Sequence, residues 1–424
     1  MATAISTQTS AVNADRLFYG SCFALITTGF SFSIRAGILP QLGAEYGLSA
    51  EQLGFINSMW FLGFPISMII GGLVYYSIGP KIIMQVAFVC HALGILLTLL
   101  AGGFATLLIS TLLIGIGNGC TEAACNPMIA DMYSGEKMNK MLNRFHMWFP
   151  GSLFLGFLIS KFMTDAALPW QAQILVIIIP TVIYAFLFFG QTFPKAKVAE
   201  STSLAQNLRA MATPLFIFIA ILMAFTAISE FGPSQWYTLV LAQSGVEPLY
   251  IAALVAFLMA FGRYFGGPLI HRLDQTGVLL GGAIFTLIGI YLFSTVTGPL
   301  AYLAAVIYAI GLCYFWPTMI GFVAERIPKS GALGMSIVGG MGMFSNSIFN
   351  PFIGNWIDNE RAEQTAAGLT GNELELAVGQ NVLLTMTIFP IVLVIAFTVL
   401  LFWVRSRKGS HVDGTELAAP GSSM

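Results

Sequence analysis

Long apolar runs broken by short polar stretches set the pattern of this chain. Runs long enough to cross a bilayer lie at about 17–38, 53–77, 82–101, 105–133, 142–164, 169–190, 213–242, 250–273, 277–297, 299–325, 332–357 and 380–405. A helix rises about 1.5 Å per residue, so roughly twenty apolar residues cross the hydrocarbon core. The pattern therefore predicts twelve transmembrane helices. Several contain Gly or Pro, which spans tolerate where neighbouring helices satisfy the freed backbone. Two polar stretches are longer than the rest. Thr192–Thr213 separates the sixth span from the seventh, and Asn359–Gln380 holds an ELELA run that predicts a short surface helix. The expected fold is an all-α polytopic membrane protein built as two six-helix bundles. Its parts are an N-terminal tail (1–16), a first bundle (17–190), a central loop (191–212), a second bundle (213–405) and a C-terminal tail (406–424). No fixed structure is expected after Lys408.

Charge then orients the chain. One set of loops holds Arg16, Lys81, Lys137, Lys140, Arg144, Lys195, Lys197, Arg209, Arg272, Arg326, Lys329, Arg405, Arg407 and Lys408, and the opposite set only Lys161 and Arg361. By the positive-inside rule, both termini are expected in the cytoplasm. The first sixteen residues are polar and lack a small-residue cleavage site, so the first span is expected to serve as an uncleaved targeting signal.

The chain is 57% hydrophobic and 9% charged, against about 25% charged in a soluble protein. Its net charge of −1 and the absence of a basic cluster give no reason to expect nucleic acid. Cys22, Cys90, Cys120, Cys125 and Cys313 all fall in apolar segments, where they read as small core residues. No nucleotide-binding loop and no metal-ligand spacing occurs, so neither ATP, a metal nor another cofactor is expected, and neither is an enzyme. Nothing points to a partner chain, and a monomer is expected.

The halves also resemble one another. Gly71-Gly72 and Gly266-Gly267 lie 195 residues apart, as do Arg35 and Glu230, and Gly37 and Gly232; Asn126-Pro127 and Trp316-Pro317 correspond at an offset of 190. Two related bundles are the architecture of a rocking transporter with its site between them.

The most informative stretch is Gly115–Pro127, GIGNGCTEAACNP, inside an apolar run. Gly115, Gly119, Glu122 and Asn126 share one helix face, and such glycines let a neighbouring helix approach. A carboxyl group in hydrocarbon costs about 2.5–3.5 kcal/mol on insertion scales, so Glu122 is expected to face a wet cavity or a partner. Glu122 either carries a proton or substrate, or is a buried acid satisfied by its neighbours.

Six plus six spans around a central loop resemble the major facilitator superfamily. Its hallmark loop is degenerate here: GGLVYYSIGPK (Gly71–Lys81) lacks the acid and the arginine, and GGPLIHRLDQTG (Gly266–Gly277) has His271 in place of the acid. Within that superfamily, GNGCTEAACNP is similar to the fourth-span motif of the fucose permease group of sugar–proton symporters. NRFHMWFPGSLFLG (Asn143–Gly156), FWPTMIGFVAE (Phe315–Glu325) and SGALGMSIVGGMG (Ser330–Gly342) resemble its fifth, tenth and eleventh spans. The resemblance implies a sugar-binding and proton-coupling role for Glu122. The first span departs from the pattern: IRAGILPQ places Arg35-Ala36 where the group has an Asn-Asp pair, which favours an anionic cargo or a redistributed charge network.

The other polar residues in the spans are weighed in that light. Arg35 can grip a carboxylate bidentately or hold two helices together. Glu230, near Pro233, Gln235 and Trp236, is the other costly charge, and Pro233 is expected to break the seventh span. Glu230 is a second candidate for proton coupling. Equal depth in the first and seventh spans makes Arg35 and Glu230 a candidate gate pair. His146 titrates near neutrality and Trp148 can stack on a sugar ring. Asn126, Trp316, Asn346 and Asn350 complete the candidate substrate wall, with Asn57 and Trp60 behind them. The expectation is a proton-coupled symporter, working by alternating access in a bacterial inner membrane, for a small hydroxylated solute such as a sugar or sugar acid. The alternatives are an organic-anion transporter built on Arg35, a channel, or a membrane sensor that transports nothing.

Overall fold

The computed structural model describes residues 12–133, 135–194, 204–265 and 267–412, so most of the N-terminal tail, much of the central loop and the end of the C-terminal tail lie outside the described residues. Every long regular element described is an α-helix. The first half comprises α1 (Ala14–Tyr46), α2 (Ala50–Leu99), α3 (Phe104–Met132), α4 (Gly135–Asp165) and α5 (Trp170–Phe188). After α6 (Leu204–Met211), a two-turn helix inside the stretch expected to be loop, come α7 (Pro214–Val240), α8 (Pro248–Phe265) and α9 (Gly267–Phe293). The chain ends with α10 (Leu300–Leu312), α11 (Phe315–Arg326), α12 (Gly331–Ala366), α13 (Gly371–Met386) and α14 (Ile388–Val412). All twelve expected spans lie on these helices. Eight helical stretches are long and apolar enough to cross a bilayer, and α2 carries two spans; α4, α8 and α12 hold the other three.

The second and third spans join without a loop. Gly79 interrupts α2 with φ 78°, a left-handed conformation that glycine adopts without a Cβ clash, and Pro80 follows. The chain doubles back there, because Gly63 packs on Leu112 and Ile116 of α3 while Gly94 packs on Ser110 and Ile114. In the second half Asp274 makes the corresponding break in α9 at φ 53°. It lies 195 residues after Gly79, the offset of the sequence repeat. Asp274 Oδ1 accepts from Thr276 Oγ1 at 2.7 Å and from the Gly277 N–H at 3.0 Å, capping the restarted helix. The side chains of His271 and Arg272 lie outside the described set.

Three expectations are corrected. Pro233 does not break the seventh span: α7 runs through it. Proline removes the N–H that would bond the Ser229 carbonyl, and the Tyr308 hydroxyl of α10 donates to that oxygen instead, at 2.6 Å. The ELELA run forms no isolated surface helix, because α13 leads into α14 within the last span. Finally, α14 continues past Lys408 to Val412. All five cysteines are free thiols, four of them buried.

The two halves meet along α1 and α7, α2 and α12, and α4 and α8. Hydrogen bonds across this junction gather toward the end opposite the chain termini, called the far end here. Asp358 of α12 accepts from the N–H groups of Ala50 (3.1 Å) and Glu51 (2.8 Å) at the start of α2. Thr238 donates to the Ala36 carbonyl at 3.0 Å, and Lys161 lies 3.3 Å from Glu247. Glycine makes the α2–α12 contact intimate. A Cβ on Gly54 would fall 2.4 Å from the Asn350 carbonyl oxygen, and one on Gly354 2.2 Å from that of Ala50. At this end the halves touch backbone to backbone.

Candidate functional site

Helix α1 is surrounded by its own bundle and by α7, and its residues from Thr27 to Leu39 are buried. Arg35 is carried into that interior. Its Nε donates to Asn57 Oδ1 at 2.9 Å and its Nη2 to Gln235 Oε1 at 2.5 Å. The guanidinium carbon lies 5.4 Å from the centroid of Trp60, within cation–π range. Asn57 and Trp60 come from α2 and Gln235 from α7, so both halves build the cluster. No carboxylate among the described residues lies within 4 Å of Arg35. The amide nitrogens of Asn57 and Gln235 are both buried without an acceptor. The result is a water-poor pocket with an uncompensated positive charge and spare N–H donors.

The expected Arg35–Glu230 pair is not formed. Glu230 faces Arg263 of α8, Oε1 to Nη2 at 3.7 Å, while Arg35 takes Gln235. Five residues separate Glu230 from Gln235, about 140° around the helix at 100° per residue. The offset of 195 thus mispairs the two spans: Arg35 stands level with Gln235, about 7.5 Å further along α7 than Glu230. Arg263 Nε donates to the Cys313 carbonyl at 2.9 Å. Glu230 Oε2 and Arg263 Nη2 have no hydrogen-bond partner, so this second charged pocket keeps open valences.

The remaining candidates fall into separate groups. On α3, Gly115 and Gly119 pack against the backbone of Trp60 and Phe64, the close approach expected of them. Glu122 is half-buried, and Asn126 Nδ2, one turn on, donates to its Oε2 at 2.6 Å. In the second half, Trp236 Nε1 donates to Asn350 Oδ1 at 3.1 Å and Asn350 Nδ2 to the Asn346 carbonyl at 2.8 Å. Asn346 Nδ2 donates to the Gly342 carbonyl at 3.0 Å, leaving its Oδ1 buried and unpartnered. Trp316 is half-buried, with its ring 6.3 Å from that of Phe231. His146 and Trp148 are exposed on α4, away from the Arg35 cluster.

Sequence reading passed over Arg263, Tyr308, His91 and Asp358. An arginine within the eighth apolar segment was a visible signal. Tyr308 and His91 look like ordinary members of apolar runs, and Asp358 like a surface acid.

The chain matches the sequence profile described as Major Facilitator Superfamily over residues 21–350. It is 29% identical to a hexuronate transporter of Bacillus subtilis over 41% of each chain. It is 24% identical to a 3-(3-hydroxy-phenyl)propionate transporter of Escherichia coli, over 81% of this chain and 89% of that one. Among solved structures it resembles a bacterial homolog of the human lysosomal transporter Spinster in an inward-facing, unoccupied conformation. The TM-score is 0.72 at 17% identity, over 91% of this chain and 96% of that one. With an all-helical fold shared with such transporters and a profile match over most of its length, the chain belongs to the Major Facilitator Superfamily and is a membrane transporter, not an enzyme.

Proposed function

We propose that this transporter carries a small hydroxylated organic anion, such as a sugar acid, in symport with protons. One observation carries the anion part: Arg35 is buried with no acid among the described residues within 4 Å of it, against two amide groups whose N–H donors find no acceptor among those residues. An uncompensated charge in a low-dielectric interior is costly, and a carboxylate offers the guanidinium a bidentate partner and the spare donors an acceptor. The two named relatives above carry hexuronate and a phenylpropionate, both carboxylates, and hydroxylated cargo suits the amide-rich surroundings.

Proton coupling rests on Glu122, in the motif similar to the fucose permease group, with Glu230 as the second acid. Glu122 is half-buried beside Asn126, whereas Glu230 already faces a cation. We also assign the protein to a bacterial inner membrane as a monomer of two bundles, 17–190 and 213–405, with both termini in the cytoplasm. The far end is then the outer side, and the structure is closed to the outside.

The test is Arg35→Lys, which keeps the charge and loses the planar fork. In proteoliposomes with a pH gradient, the variant should lose uptake of D-glucuronate while neutral sugars, if carried at all, are little affected. Equal loss for acids and neutral sugars would make Arg35 a structural residue and end the anion reading.

A further inference from the structure

Behind Arg35, inside the first bundle, a chain of hydrogen bonds runs through residues the proposed site does not use. His91 of α2, Asn118 of α3 and Tyr184 of α5 are all buried. His91 Nδ1 lies 2.9 Å from the Tyr184 hydroxyl and Nε2 2.9 Å from Asn118 Oδ1. Asn118 Nδ2 donates to Ser31 Oγ at 3.2 Å, and Trp60 Nε1 donates to the same oxygen at 2.9 Å. Ser31 gives its own proton to the Thr28 carbonyl at 2.7 Å.

Valence fixes the directions. An amide oxygen only accepts, so His91 Nε2 carries the hydrogen, and in the neutral ring Nδ1 accepts from Tyr184. Ser31 has used its donor and both acceptor positions. A buried network satisfied at every member holds its parts in one arrangement. Gly117 makes room for it, since a Cβ there would fall 2.4 Å from His91 Cδ2. The glycine and asparagine of the GNG triplet thus belong to the His91 ring.

The chain ends at Trp60, whose indole lies against the Arg35 guanidinium. An indole has a single N–H, and Ser31 is what receives it. Beside them a small cavity of about 20 Å³ is lined by Ser31, Arg35 and Thr111 among others, room for about one water. The cavity leaves room beside the guanidinium, which is held by Asn57 and Gln235 and rests on the indole face.

We propose that His91, Asn118 and Ser31 are positioning residues that set the transporter's selectivity for carboxylate cargo, by fixing Trp60 as the seat of the Arg35 guanidinium. This rests on the anion-site reading. Without the anchor, Trp60 turns, Arg35 shifts toward the cavity, and the planar fork loses its aim.

The test uses full-length protein with D-glucuronate as probe. Ser31→Ala deletes the shared acceptor, and Trp60→Phe deletes the donor but keeps an aromatic face. Each should raise KM for D-glucuronate roughly two- to tenfold, the range for one lost hydrogen bond, with Vmax retained. The double variant should be no worse than either single one, because both remove the same bond. Independently of cargo, the indole N–H resonance of Trp60 in ¹⁵N-tryptophan-labelled protein, identified by its loss in Trp60→Phe, should shift in Ser31→Ala and in His91→Leu. His91→Gln, which keeps an N–H for Asn118, should shift it less. A resonance unmoved in Ser31→Ala and His91→Leu overturns the anchoring chain. Wild-type KM in the single variants, or fully additive losses in the double, overturn the selectivity role. A wild-type protein that takes up no acid overturns the anion-site reading and the selectivity with it, while the resonance still decides whether the chain holds Trp60.

Discussion

Asp358→Ala should open the far end. The first four N–H groups of a helix, counted from its cap, lack partners within the backbone ladder, and at α2 all four are accounted for. Ser49 N bonds Gln52 Oε1, Gln52 N bonds Ser49 Oγ, and Ala50 and Glu51 bond the two carboxylate oxygens of Asp358. Half of this cap therefore comes from the other bundle. A capping side chain is worth about 0.5–2 kcal/mol, and a negative charge at a helix N-terminus adds about 0.3–1 kcal/mol. The Asp358 side chain is 28% exposed, so water screens part of this, and about 1–2 kcal/mol is expected. When the bundles part, water takes over both N–H groups. The loss thus falls on the closed state alone and shifts the closed-to-open ratio roughly 5- to 30-fold. Spin labels at the exposed residues Leu168 and Leu300, one in each half, in a background without the native cysteines, would report this as a growing long-distance population. Asp358→Asn, which keeps one oxygen acceptor, should fall between. A distance distribution unchanged in Asp358→Ala would refute the latch.

Other expectations follow from single contacts. Tyr308→Phe leaves the Ser229 carbonyl buried without a donor, which costs about 1–3 kcal/mol and should lower the melting temperature in detergent. Pro233→Ala restores the missing N–H, so the loss should be smaller in the double variant; equal losses in both backgrounds would refute the compensation. Gly354→Ala places a methyl group in the α2 backbone and should favour the open far end in the same spin-label measurement. Glu122→Gln should abolish pH-driven accumulation while sparing cargo exchange, and normal accumulation in that variant would move the coupling role to Glu230.

The spans were legible because twenty apolar residues in a row have few uses outside a bilayer, whereas the reversals at Gly79 and Asp274, which share the repeat offset, emerge only from the backbone. What sequence could not supply was partner choice. Pro233 reads as a break because the hydroxyl that relieves it comes from Tyr308, a full three spans later. The offset pairs Arg35 with Glu230, yet in the fold Arg35 stands level with Gln235, five residues further along α7, and a neutral glutamine meets the arginine. Asn118 lies in the same motif as Glu122, but its meaning depends on an imidazole ring from another helix. His91 gave no signal of its own in an apolar run.

The glycine contacts at the far end bear on how well the transporter holds a gradient. Gly54 and Gly354 bring the carbonyls of one half against the backbone of the other, with no long side chain to stretch across a widening gap. Dispersion fades within about an ångström of separation, so this seam has no half-engaged form. It is shut or it is parted. A partly loosened seam would let small solutes leak past the cargo, and a joint of bare backbone leaves that slip no state to occupy.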